Sequence, residues 1–270
     1  MSQFLIIAAL IVFAFACRTF ENRYIAKMGW LAMLGAPYLG AYFLTGSHAA
    51  GGTALTLWFF LPWLEILGRV RKLRFPVESE VKHRYPPSSD LFPDLDELSS
   101  EAEAAGFVAA EDTGWKWDQT DHFMRLFYHK ELRAQAAVTL ATQADFAISY
   151  VSVTSRSTSG RTFTTSNYPF SFTMKFSPDH KVNRYTSAVS FDDLLAAHAT
   201  FLDANAVFPE TLAEMDAENL TDYLTKDMRV QIDHNLSVGV LEPAGEGFIR
   251  YSWRGCVFLW LQVVKDMIRV

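Results

Sequence analysis

The sequence predicts an α+β protein: N-terminal transmembrane helices, then an antiparallel-sheet domain with helices, then a C-terminal amphipathic helix. Three observations carry this reading. Three uncharged apolar runs crowd the first 75 residues. The middle of the chain alternates helical periodicity with β-branched and aromatic runs separated by turn signals. The last segment, YSWRGCVFLWLQVVKDMIRV, sets a polar stripe against an aromatic and aliphatic face.

The apolar runs come first. Phe4 to Cys17 is fourteen residues without a charge, Met28 to Gly46 is nineteen, and Ala49 to Leu64 is sixteen. A spanning helix needs roughly 20 apolar residues to cross about 30 Å of hydrocarbon. The expectation is three spanning helices near 4–20, 28–46 and 49–68. Orientation follows from the basic residues. The first connection holds Arg18, Arg23 and Lys27, the second (TGSHAAGG) holds no Lys or Arg, and the exit holds Arg69, Arg71, Lys72 and Arg74. This alternation puts the large domain on the cytoplasmic side of a bacterial inner membrane. The alternative treats the first run as a cleaved signal, with Ala14-Phe15-Ala16 as a small-x-small site, and puts the domain in the periplasm.

In the second run Ala32, Ala36 and Gly40 recur every four residues, a spacing that lets another helix approach closely. The third run is its expected partner, with a helix from another protein as the alternative. Pro37 and Pro62 are expected to kink their helices. Glu65 precedes Arg69 at the favourable i, i+4 spacing, so an ion pair near the helix end is expected.

Residues 76–94 read as a linker, broken by proline and of mixed charge. From 95 to 250 the expectation is an acidic α+β domain. Between Pro76 and Arg250 there are 27 acidic residues against 14 basic ones, a balance of −13. Such a surface repels phosphate, so nucleic acid is excluded as a partner. Leu95, Leu98, Ala102 and Ala105 share a helix face that Gly106 ends. Five segments then read as strands: DHFMRLFYHK, AQAAVTLATQ, DFAISYVSVTSRS, GRTFTTSN and FSFTMKF. Short connections between them predict an antiparallel meander. Ser190 and Asp193 have capping-box spacing ahead of a helix, a second helical stretch follows Pro209, and a third runs from Glu218 to Asn235. VGVLEPAGEGFIRY reads as a hairpin turning over Pro243 to Gly247. Residues 251–270 suit a helix lying in the membrane interface, with Trp253 and Trp260 at headgroup level; a short fourth span is the alternative.

Reactive motifs are sparse. The two cysteines, Cys17 and Cys256, lie outside the acidic domain, and no zinc, phosphate-loop, dinucleotide or nucleophile-elbow pattern occurs. No catalytic residue, metal ligand or cofactor is therefore assigned. The pairs Asp121-His122, Asp179-His180 and Asp233-His234 are sequence neighbours, whose side chains diverge on a strand or a helix. His198 reads as a core histidine bonded to a backbone carbonyl. The hydroxyl-rich run SVTSRSTSGRTFTTSN reads as a solvent-facing or edge surface, with a polar groove for sugar or peptide as the alternative. Trp115 and Trp117 alternate along one strand face and read as core or interface packing, with a stacking platform as the alternative.

ELSSEAEAAGF, TFTTSN, LLAAHATFL and NLSVGVL…FIRYSWRG resemble segments of uncharacterised bacterial membrane-anchored proteins, a likeness that transfers no function. The last segment is also similar to the wing of a winged-helix domain, but its acidic surroundings argue for protein contacts over DNA. Together these observations predict a non-enzymatic accessory or assembly subunit of a bacterial inner-membrane complex. It would dock on other membrane-protein subunits and on lipid. The alternative is a membrane-tethered ligand-binding or hydrolytic domain, which requires a concave pocket with convergent polar groups of shifted pKa. A transmembrane signalling protein is the weaker third reading.

Overall fold

The computed structural model describes residues 2–20, 23–78, 81–117, 120–143 and 146–269. The side chains of Arg18 and Arg23, two of the basic residues in the first connection, lie outside those described. The chain divides into two compact units. One holds residues 1–72 together with 256–270, and the other holds residues 73–255.

The first unit contains α1 (Ser2–Arg18), α2 (Arg23–Thr45) and α3 (His48–Gly68), with a 3-10 turn over Val70–Lys72. The expectation of three spanning helices is corrected to one that qualifies. Among the described residues, only His48–Lys72 is long and apolar enough to cross a membrane. The apolar part of α1, Gln3–Cys17, is too short at about 1.5 Å per residue. In α2, three glycines, Pro37, three tyrosines and Trp30 dilute the aliphatic content.

Small residues set how closely these helices approach. Ala32 and Ala36 are buried. A Cβ on Gly35 would lie 3.2 Å from Leu10 and one on Gly40 would lie 3.9 Å from Ile7. Gly40 therefore faces α1, not the expected α3. The close approach to α3 is instead at Gly51, where a Cβ would press on the Tyr38 ring and lie 3.1 Å from its carbonyl. Tyr38 also shares a 2.7 Å hydrogen bond with His48 Nδ1, and His48 stacks on Tyr42 at 4.6 Å, which closes the α2–α3 turn. Glu65 and Arg69 form the expected pair at 3.4 Å, both well exposed, and such a pair contributes little. Arg69, Lys72 and Arg74 are exposed beyond α3, and Arg71 is half-buried.

The C-terminal helix, α7 (Trp253–Arg269), joins this unit from Cys256 onward. Trp260 packs on α3. Its indole N–H donates to the Phe59 carbonyl at 2.8 Å, its ring stacks on Phe60 at 5.1 Å, and it meets Trp63 edge-on at 6.1 Å. The reason lies in α3. Pro62 has no N–H for the Trp58 carbonyl, which loosens the helix there, and the indole docks on the adjacent carbonyl. Trp253, by contrast, is 57% exposed. Trp260→Phe keeps the stacked ring and removes the donor. It is expected to lower the stability of the full chain in detergent by about 1 kcal/mol, read by thermal unfolding.

The second unit is built on a seven-stranded sheet. Its strands are β2 (Lys82–His83), β3 (Val108–Trp117), β4 (Thr120–His129), β5 (Ala134–Gln143), β6 (Phe146–Arg156), β7 (Thr162–Ser166) and β8 (His180–Arg184), adjacent in that order. All pairs are antiparallel except β7–β8. A three-stranded sheet joins β1 (Phe75–Pro76), β10 (Phe248–Tyr251) and β9 (Leu241–Pro243). The expected linker thus contributes the short edge strand β2 and, with Pro76, the second residue of β1.

Strand alternation sends residues to two faces. On one face Phe123, Phe127, Val138, Leu140, Val151 and Val153 pack with α4 (Leu95–Ala104) and α5 (Phe191–Ala204). Gly106, at φ +88°, ends α4 in the left-handed region. The Ser190–Asp193 capping box starts α5 as expected. On the other face Met124, Leu126 and Ala137 pack with Met215 and with Leu220, the first residue of α6 (Leu220–Ser237).

FSFTMKF is not a strand. The segment from Asn167 to Asp179, bounded near its ends by Pro169 and Pro178, is irregular apart from turns and bends. It carries the chain from β7 to β8 so that the two strands run parallel. Its alternating aromatics link Tyr168, Phe172, Phe176 and His180 through ring contacts of 5.5, 4.8 and 4.8 Å.

Candidate functional site: a groove between the sheet and α6

The second unit contains a groove walled by the sheet, the 167–179 segment and α6. It has two chambers that meet at Gln231, one of about 280 Å³ and one of about 350 Å³. Pockets that hold small molecules span about 300–1,000 Å³.

The larger chamber is polar. Arg156, at the end of β6, reaches Asp227 on α6 through two bonds, Nη2–Oδ2 at 2.8 Å and Nη1–Oδ1 at 3.1 Å. The same guanidinium donates to Thr162 Oγ1 at 3.2 Å and Gln135 Oε1 at 3.3 Å, and its carbon lies 4.8 Å from the Tyr223 ring centre. Its Nε is buried with no partner. The side chain is only 9% exposed, so the ion pair is what makes its burial tolerable. His180 shares a 2.9 Å hydrogen bond with Thr164. Burial depresses the His180 pKa, Arg156 depresses it further, and Asp227 opposes both. His180 is therefore a neutral imidazole at pH 7.

The smaller chamber is aromatic. Trp115, Trp117, Tyr150, Tyr168, Phe172 and Phe176 line it with His122, Met174, Met228 and Ile232. Trp115 stacks on His122 at 4.6 Å and 13°, because the two are directly paired across β3 and β4. Burial pulls the His122 pKa down to about 4, against the pull of Asp121, so this imidazole is neutral too. Burial pushes the Tyr150 phenol up to about 12. Among the described residues, six buried side-chain nitrogens or oxygens lack a hydrogen-bond partner. Three of them, Trp115 Nε1, Trp117 Nε1 and His122 Nδ1, belong to residues lining this chamber. Buried polar groups are otherwise nearly always paired, so the clustering marks the chamber.

Gly114 allows the Trp115–His122 pair to form. A Cβ at position 114 would fall on the His122 carbonyl oxygen, a backbone atom that moves only if β3 and β4 separate. Gly114→Ala is expected to cost about 1–3 kcal/mol and to disturb the stack, read as a lower unfolding temperature with altered near-ultraviolet circular dichroism.

The sequence-derived candidates fall as follows. In one Asp-His pair the Asp121 carboxylate binds Arg84 at 3.3 Å while His122 lines the aromatic chamber, whereas in another Asp179 and His180 both line the polar chamber, contrary to the expected divergence. His122 and His180 nevertheless reach the same groove from different strands. Trp115 and Trp117 line the chamber, beyond the packing role expected of them. Most of the hydroxyl-rich run does not face solvent, and only its turn at Thr158 to Gly160 is exposed. Thr154, Ser155, Ser157, Thr162, Thr165 and Ser166 are buried, because β6 and β7 are interior strands covered on both faces. His198 is a core residue, but its partners are the hydroxyls of Thr165 at 3.0 Å and Ser155 at 3.1 Å, not a backbone carbonyl. Sequence reasoning missed Arg156, Asp227 and Tyr150. The available signal was a lone arginine in phase with buried hydroxyls on β6. No protein-family profile, curated protein sequence or solved structure matches the chain.

Proposed function

We propose that the chain is a membrane-tethered binding protein whose second unit holds a small amphipathic molecule in the groove between the sheet and α6. The observation that carries this reading is the convergence on one groove of an aromatic chamber with unpartnered donors and a polar chamber built around Arg156 and Asp227. A domain that served only as a spacer would have no need to keep buried donors unpaired.

The tether is the helical unit. Phe4, Leu5, Val12, Leu31, Leu44 and Leu64 are each 67–78% exposed. An apolar exterior of that extent has no use in water and suits contact with lipid. In this reading α3 crosses a bacterial inner membrane with α1 and α2 packed beside it, and Arg69, Arg71, Lys72 and Arg74 mark its cytoplasmic face. A cytoplasm-sensitive reporter fused after Val270 is expected to be active. Activity of a periplasm-sensitive reporter there would reverse the orientation.

The binding reading is tested by organic extraction of the gently purified full chain and mass spectrometry of what comes out. One small molecule near equimolar amount is expected from the wild type and not from Ala141→Trp, which fills the aromatic chamber. Identical extracts from both would overturn it.

A second reading, an accessory subunit docking on other membrane proteins, is favoured by the same exposed helix faces, which suit a neighbouring subunit as well as lipid. It predicts co-purification of other membrane proteins in mild detergent. A solitary, monodisperse chain would count against it.

A further inference from the structure

The aromatic chamber is selective in what it can accept. Its lining holds no Asp, Glu, Lys or Arg. Of its ionisable residues, His122 and Tyr150 are both uncharged at pH 7, since burial holds the imidazole pKa near 4 and the phenol near 12. A formally charged group entering this space would lose its hydration with no counter-charge to replace it. What enters is therefore neutral.

Ring contacts narrow the shape. Trp115 already lies nearly parallel to His122, and Tyr168 nearly parallel to Phe172 at 19°. Tyr150 meets Tyr168 at 4.9 Å. Flat walls of this kind match a flat guest, for which offset stacking adds to plain apolar burial.

The unpartnered nitrogens narrow the chemistry further. An indole N–H is a donor and nothing else, so Trp115 and Trp117 both call for an acceptor. An alkyl chain supplies none. A quaternary ammonium would be drawn to the ring faces, yet it too leaves both indoles unpaired. A ring that carries its own oxygens answers both demands.

We propose that the aromatic chamber binds a neutral, planar, conjugated ring bearing carbonyl oxygens, and that Trp115 and Trp117 turn on binding so that their N–H groups, closed to water in this structure, donate to those oxygens. This assignment rests on the binding reading above and deepens it. The adjoining polar chamber, reached past Gln231, leaves room for a ring substituent. The same ring could come from a lipid with an isoprenoid tail or from a soluble metabolite.

The test is isothermal titration of the full chain in detergent, with empty micelles as the blank. The probes are 2-methyl-1,4-naphthoquinone, the same ring with two isoprene units, naphthalene, decanol and phenyltrimethylammonium. Saturable one-to-one binding of the naphthoquinone is expected, at least tenfold tighter than naphthalene. One neutral hydrogen bond corresponds to about a fivefold change in affinity. The double variant Trp115→Phe/Trp117→Phe, which keeps both rings, should therefore bind the naphthoquinone about 25-fold more weakly and no better than naphthalene. Unchanged secondary structure by circular dichroism shows that the variant is folded. A tenfold gain from the isoprene units identifies the lipid source, and equal affinities identify the soluble one.

Equal affinity for naphthoquinone and naphthalene, or an unaffected double variant, would overturn the assignment. So would tighter binding of decanol or of the ammonium probe; if Ala141→Trp abolished that binding, the groove would still be a binding site. No saturable binding by any probe would also overturn the ring assignment, whereas the extraction experiment judges the groove itself.

Discussion

Acidification from pH 7 to pH 4 is expected to destabilise the second unit by on the order of 6 kcal/mol through two buried histidines. His122 and His198 have pKa values held near 4 by burial, against 6.5 for a free imidazole. In the unfolded chain each takes up a proton as the pH falls below 6.5, while in the folded chain each stays neutral until about pH 4. The unfolded state therefore binds more protons across that window, and stability falls as the pH falls. The effect is absent above 6.5 and complete below 4. At about 1.4 kcal/mol per pH unit, each residue contributes on the order of 3 kcal/mol. Roughly 2–4 °C of unfolding temperature per kcal/mol for a unit of this size makes the drop about 12–24 °C. Carboxylates titrate at the acid end of the same window, so the comparison that isolates the histidine is with His198→Asn. That variant loses bonds to Ser155 and Thr165 and is less stable at pH 7, but its slope between pH 6.5 and 4.5 should be clearly shallower, with His122 and His180 carrying what remains. An equally steep slope would mean that His198 is protonated in the folded protein.

Arg156→Ala is expected to be the most damaging single change in the groove. It strands the Asp227 carboxylate, removes the donors to Thr162 and Gln135, and withdraws the cation from the Tyr223 ring. Removing one member of a buried ion pair costs about 3–5 kcal/mol. Asp227 is 29% exposed, so water recovers part of that and about 2–4 kcal/mol remains. The double variant Arg156→Met/Asp227→Leu tests the mechanism, since it removes the stranded charge along with the pair. It should regain most of the lost stability, because apolar replacements of buried pairs are close to neutral. A double variant as unstable as Arg156→Ala would show that the Thr162 and Gln135 bonds carry the effect.

What the sequence made legible was local. The α5 capping box, the glycine end of α4, the β4–β5–β6 meander and the hairpin over Pro243–Gly247 all depend on residues within a few positions of one another. What it hid depends on distant partners. Phe170, Phe172, Met174 and Phe176 alternate as a half-buried strand would, but they cover the sheet face from a connection that makes no ladder. Arg156 sits among serines and threonines like a surface residue, and its partner Asp227 is 71 positions away. Trp260 has the placement of an interfacial anchor, and only the α3 backbone at Phe59, 201 positions earlier, reveals its packing role. Trp115 and Trp117 were legible as one face of a strand. That this face lines a cavity depends on α6 and on the 167–179 segment, neither of which a strand pattern can reveal.

The most direct test of the binding groove uses the seven tryptophans as built-in reporters. With 15N-labelled indoles in the full chain, addition of 2-methyl-1,4-naphthoquinone should move the Trp115 and Trp117 N–H resonances downfield as they gain an acceptor. Those of Trp30, Trp58, Trp63, Trp253 and Trp260 should stay in place. Shifts confined to the latter five, or none at Trp115 and Trp117 at saturating probe, would contradict the account.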